Sequence, residues 1–254
     1  MRAALRYEWV RVSTVRSTRI LLVVVLVAAA VLGWLVADPR YVAFDETGNP
    51  VGSPVVQWWN AFGMPLSLTA VLASIVAAQA VGQEYRFGLI RITLTAFPRR
   101  PRILIAKLLV VSGACVAFAL VSFVGSWIGL VLRGYPTPPL SSPYPPDMYL
   151  AKGVALVLLW GLSAFALAGI SRQTAVGIAV PVVSGVIVET LLLGLLSDRL
   201  PWLADVLPWS TAARWARFPA VDGPPSGWAA LAVLGAWVVG LMAVQVGAWL
   251  RRDA

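Results

Sequence analysis

The sequence predicts an all-α integral membrane protein of six spans, and three observations predict it. Of its 254 residues, 59% are hydrophobic and only 12% are charged, where a soluble domain averages roughly 25% charged. The apolar residues gather into runs long enough to cross a bilayer. The basic residues, in excess to a net charge of +9, cluster at the ends of those runs instead of lining one soluble face. They read as topology determinants, which excludes nucleic acid as a partner. One membrane domain, 1–254, accounts for the whole chain.

Residues 1–19 hold five arginines and one glutamate, with Leu5, Trp9, Val12 and Val15 as an apolar stripe. They are expected to form an interfacial helix with Trp9 at headgroup level. A cleavable leader is the competing reading. Leu35 leaves no small-x-small site before Asp38, so the first span, 20–37, is read as uncleaved.

A polar loop, 38–56, leads to a second span at 57–81, in which Pro65 either kinks the helix or ends a short re-entrant piece. The third span covers 103–132, with Lys107 expected to snorkel back to the interface. Residues 133–150 contain six prolines and read as a stiff connection. A fourth span, 152–170, is separated from a fifth, 175–196, by only four residues, which forces a tight antiparallel hairpin. Residues 197–227 mix Trp and Leu with Asp, Arg and Pro, and are expected to form an extracellular re-entrant segment. The last span, 228–250, ends on Arg251 and Arg252.

Six spans put both termini on one side. That side, with the segment 82–107, holds fourteen Lys and Arg against six on the other. The positive-inside rule makes it the cytoplasm, with the chain multi-pass in the plasma membrane and the bilayer as its surroundings.

The chain has no histidine and one cysteine, Cys115. It therefore lacks the commonest general base and metal ligand, and no catalytic or metal site is expected. No phosphate-binding loop is present, so this chain binds no ATP or Mg itself.

The only long break in the apolar pattern is Glu84–Lys107, with six positive charges and one negative. Phe87, Ile90, Leu94 and Phe97 fall on one helical face, with Arg86, Arg91 and Thr93 elsewhere, and Pro98 and Pro101 stop the helix. Two readings stay open: a helix lying among lipid headgroups, or a helix that docks in a groove of a soluble partner. Glu189 is the one acid well inside an apolar run. It lies roughly 22 Å from the cytoplasmic end of its span, near the outer interface, and is a weak candidate for the substrate path. Gly161, Ala164, Ala168, Gly177 and Gly185 read as close-packing positions.

The run Glu84-Tyr85-Arg86-Phe87-Gly88-Leu89-Ile90-Arg91, with Leu94, Pro98, Arg102 and Ala106-Lys107, resembles the cytoplasmic loop of ABC-2 type transporter permeases. Glu8-Trp9 and Val15-Arg16-Ser17-Thr18 resemble the start of actinobacterial members. Where that family's loop reads Gly-Thr-Leu/Ile-Arg, this one reads Gly-Leu-Ile-Arg. The resemblance implies the membrane subunit of an ABC exporter with 84–98 as its coupling helix. It assigns ATPase coupling to Glu84, Tyr85, Phe87, Gly88, Arg91, Leu94 and Pro98. It also implies a separate ABC ATP-binding subunit carrying ATP and Mg, and a second permease copy or paralogue as dimer partner. The cargo is expected to be amphipathic or hydrophobic: a drug, antibiotic, peptide or lipid, as in multidrug efflux. An ion-gradient-driven secondary transporter and a non-transporting scaffold are the alternatives.

Overall fold

The computed structural model describes residues 2–36, 43–44, 50–51, 54–96, 100–134, 146–216 and 227–251. In chain order the helices are α1 (Arg2–Thr14), α2 (Arg16–Val36), α3 (Pro54–Arg86), α4 (Leu89–Ala96), α5 (Arg100–Leu132), α6 (Pro146–Ser171) and α7 (Thr174–Val183). A π-helical turn, Ser184–Val188, continues directly into α8 (Glu189–Leu196), followed by α9 (Leu203–Val206), α10 (Pro208–Ala216) and α11 (Gly227–Arg251). The only strands among the described residues are Ala43–Phe44 (β1) and Pro50–Val51 (β2), paired antiparallel. Five helices, α2, α3, α5, α6 and α11, are long and apolar enough to cross a membrane.

The bundle is built around α3, which packs against α2, α5, α6 and α7. Its buried stripe is alanine: Ala70, Ala73, Ala77 and Ala80, set against Ile103, Val111 and Phe118 of α5 and Val157 and Phe165 of α6. Lipid tails are as apolar as a side chain, so spans associate through close van der Waals packing, which small residues permit. At the α2–α5 crossing, a Cβ on Gly125 would lie 2.6 Å from the Leu26 carbonyl oxygen. One on Gly129 would run into the Ala30 carbonyl oxygen. A Cβ on Gly177 of α7 would lie 2.6 Å from the Ala168 methyl and 2.7 Å from the Ala164 carbonyl oxygen of α6. Gly161 leaves room for the Cys115 thiol.

Several expected boundaries move. Residues 1–19 form two elements, because the Ser13 and Thr14 hydroxyls donate to the Val10 carbonyl at 3.3 and 2.6 Å and end α1. Pro65 neither ends α3 nor starts a separate piece, since the helix runs on from Pro54 to Arg86. Pro101 sits in the first turn of α5, where a missing N–H costs nothing, so it opens that helix instead of stopping α4. The expected stiff connection lies largely outside the described residues, as does most of the loop 38–56.

Candidate functional site

Where α1 lies across the bundle, the end of α3 turns into α4. Glu84–Arg86 still belong to α3, and the turn is made by Phe87 and Gly88. Gly88 has φ +66°, a left-handed conformation that suits glycine because it has no Cβ to clash. The Phe87 N–H donates to the Gln83 carbonyl at 3.0 Å and the Gly88 N–H to the Tyr85 carbonyl at 3.3 Å, closing the last turn.

That turn resets the helical register, so 84–98 is not one helix with one apolar face. Phe87 is 63% exposed and Ile92 67%, with Leu89 exposed beside them, whereas Ile90 and Thr93 face the core. Phe87 and Ile90 were expected on one face, and Thr93 away from it; the turn at Gly88 separates the first pair and turns Thr93 inward. The Arg86 guanidinium lies 5.5 Å from the Phe87 ring centroid. The backbone of Arg91 and Leu94 lies in α4; their side chains, and Phe97 and Pro98 altogether, lie outside the described residues.

Beneath this exposed patch is a cluster of four charges from three elements, three of them buried and the fourth, Arg11, half-buried. Lys107 of α5, with a side chain 0% exposed, donates to Glu8 of α1 at 2.6 Å and to Glu84 of α3. Arg11 of α1 donates to the Glu84 carboxylate and to the Ala80 carbonyl, and lies 3.4 Å from Glu8. Two carboxylates and two cations leave the cluster neutral, the condition under which ion pairs survive burial. Burial pushes the Glu8 carboxyl above its usual value, while Lys107 and Arg11 pull it down. One Glu84 oxygen, Oε2, is buried and finds no hydrogen-bond partner among the described residues. Lys107 therefore does not snorkel: its partner Glu8 comes from the far side of the sequence and meets it inside.

Tyr85 is half-buried beside the cluster. Its ring meets Trp249 of α11 edge-on at 6.4 Å, and the Arg172 guanidinium lies 5.4 Å above it. Arg172 holds φ 60° in the two-residue turn between α6 and α7. One aromatic ring thus joins the ends of α3, α7 and α11.

Glu8, Arg11 and Lys107 escaped the sequence reading as site residues. Each was assigned to its own local pattern, and only the opposite charges on separate elements hint that they meet. Glu189 lies apart from this end. It is 4% exposed, and its two carboxylate oxygens accept the backbone N–H groups of Trp209 at 3.1 Å and Ser210 at 2.7 Å. It reaches a helix N-terminus instead of water.

The arrangement is an exposed apolar step on a neutral ion cluster that ties three helices together. No curated protein matches the chain. A family model described as ABC-2 family transporter protein matches residues 6–188, a stretch containing most of α1, the turn, α4 and all four charges of the cluster. The chain belongs to the ABC-2 transporter family.

Proposed function

We propose that this chain is the permease subunit of an ATP-driven exporter, docked on a separate ATP-binding subunit through Phe87–Ala96. The observation that carries the reading is the exposed trio Phe87, Leu89 and Ile92 on a segment whose other face is buried. Phe87 anchors the docking surface, and Gly88 sets its angle. Arg91, Leu94 and Pro98 supply further contacts, as the family resemblance implies. Glu84 and Tyr85 act from beneath, passing displacement of the turn to α1, α5, α7 and α11. ATP and Mg belong to the partner. Its closure pushes the turn, and a two-state bundle tilts from inward- to outward-facing.

The six-span layout follows if α7, the π turn and α8 form one span. They run without a break from Thr174 to Leu196, enough at 1.5 Å per residue for a crossing. The α9–α10 stretch is then the extracellular re-entrant element, and α1 is the interfacial helix, with Trp9 exposed toward the headgroups. The positive-inside bias puts the turn and both termini in the cytoplasm. The permease pairs with a second copy or a paralogue, and its apolar spans suit an amphipathic or hydrophobic cargo.

The test is affinity purification of the tagged chain from its native membrane in mild detergent. A roughly stoichiometric P-loop ATPase is expected, lost with Phe87→Asp, which changes an exposed side chain. Recovery of the chain alone, under conditions that preserve known assemblies of this type, overturns the reading.

A further inference from the structure

The helical run from Thr174 to Leu196 is held very differently along its length. Its first half is wedged into the bundle, with Gly177 against Ala164, Ala168 and Ala78, and Thr174 against Gly82. Beyond that, the hydrogen-bond ladder is weakened twice. Pro181 contributes no N–H, and Ser184–Val188 winds as a π turn. Past the turn, the close packing of α8 among the described residues is on the π turn and α9. Ile187, Leu191 and Leu195 stand exposed.

What ties this second half to the rest is one junction. Glu189 accepts the N–H groups of Trp209 and Ser210, the second and third residues of α10, whose first residue is Pro208. A carboxylate suits that position, because the first N–H groups of a helix lack internal partners. The Trp209 indole donates to the Ser184 hydroxyl at 2.7 Å and lies over Gly185, where a Cβ would come within 2.8 Å of the ring. Its other contact is Trp160 of α6, with ring centroids 4.2 Å apart. The body of α10 is anchored independently, Ala212 packing with Leu156 of α6 and Leu234 of α11.

The π turn also sets the register that makes the junction possible. Gly177, Pro181, Gly185 and Glu189 recur at intervals of four. In a regular α-helix each such step drifts roughly 40°, which would carry Glu189 roughly 120° from Gly177. The wider π winding takes back roughly 20° per residue over its length, so Glu189 stays on the packed stripe.

We propose that the second half of this run is a hinged arm, with Pro181 and the π turn as its hinge and Glu189 as its latch on α10. Unlatching frees the arm to swing away from α10, which stays anchored on α6 and α11, while the first half stays wedged. This does not depend on an ATP-binding partner.

The test uses the full chain, with Cys115→Ser, in lipid nanodiscs and pulsed electron–electron resonance between spin labels. One pair is placed at Leu195→Cys and Leu132→Cys, across the arm. A second is placed at Ile105→Cys and Ala175→Cys, across the wedged half. Glu189→Gln is expected to raise the population of the long arm distance about tenfold, the scale of losing one hydrogen bond to a charged group. Trp209→Phe, which removes the indole–hydroxyl bond and part of the ring contact but keeps both bonds to Glu189, shifts it less in the same direction. The second pair should not change in either variant. An unchanged arm distance in Glu189→Gln overturns the latch, and equal broadening of both pairs overturns the hinge.

Discussion

Lys107→Met tests whether the buried charge cluster is held by neutrality or by individual contacts. The ammonium is fully buried and satisfies Glu8 and Glu84 at once. Removing it leaves two buried carboxylates sharing Arg11, whose side chain is 23% exposed and so partly screened. Breaking a buried ion pair from one side costs about 3–5 kcal/mol, most of it the stranded charge. Replacing both members by neutral groups of similar volume is nearly neutral. Lys107→Met with Glu8→Gln leaves the Arg11–Glu84 pair and restores neutrality. The double variant is therefore expected within about 1–2 kcal/mol of the parent, despite the greater number of lost contacts. Equilibrium unfolding in mixed micelles, followed by circular dichroism, gives the comparison. A double variant as unstable as Lys107→Met, or worse, would refute the reasoning, because individual contacts and not net charge would then dominate.

Three further outcomes follow from the packing and the electrostatics. Gly129→Ala drives a methyl into the Ala30 carbonyl oxygen and is expected to destabilise by about 1–3 kcal/mol, whereas a Cβ on Gly113, on the same helix, meets nothing within 4 Å and Gly113→Ala should be silent by the same unfolding assay. The Glu8 carboxyl binds its proton more tightly in the folded chain than at its usual value of 4.5. Its contribution is thus fully present below that value and lost as pH rises through the raised one. The melting temperature of Glu8→Gln relative to the parent should therefore improve from pH 5 to pH 8, and a decline would contradict the assignment. Both polar atoms of Gln245 are buried without hydrogen-bond partners among the described residues. Gln245→Leu should be neutral or stabilising, by up to about 2 kcal/mol, and a clear loss of thermal stability would mean that the amide is satisfied in the membrane.

The long apolar helices were legible because the cost of a charge in hydrocarbon leaves a mark on every residue of a span. The tight α6–α7 hairpin was legible because its connection is too short for anything else. The α2–α5 crossing also leaves a sequence signal, since Gly125 and Gly129 form a small-residue pair spaced by four. Other features leave no local trace. Whether Gly88 continues a helix or breaks it depends on its φ, and the periodic placing of Phe87 with Ile90 assumed continuity. The pairing of Glu8 with Lys107 spans 99 positions and that of Glu84 with Lys107 spans 23, while helical periodicity speaks only to neighbours within a few turns. Glu189 was expected near the outer interface, within reach of water, but the N–H groups it meets belong to Trp209 and Ser210, 20 and 21 positions away.

The order of the four charges of the cluster along the chain also bears on how the protein is made. Glu8 and Arg11 leave the ribosome first, Glu84 follows, and Lys107 comes last. Both carboxylates are therefore synthesised before the ammonium that neutralises them. Arg11, three residues from Glu8 and within reach of Glu84 in the finished bundle, is the one cation of the cluster available throughout that interval. The third long helix, carrying Lys107 near its start, completes the cluster and joins α1, α3 and α5 through it.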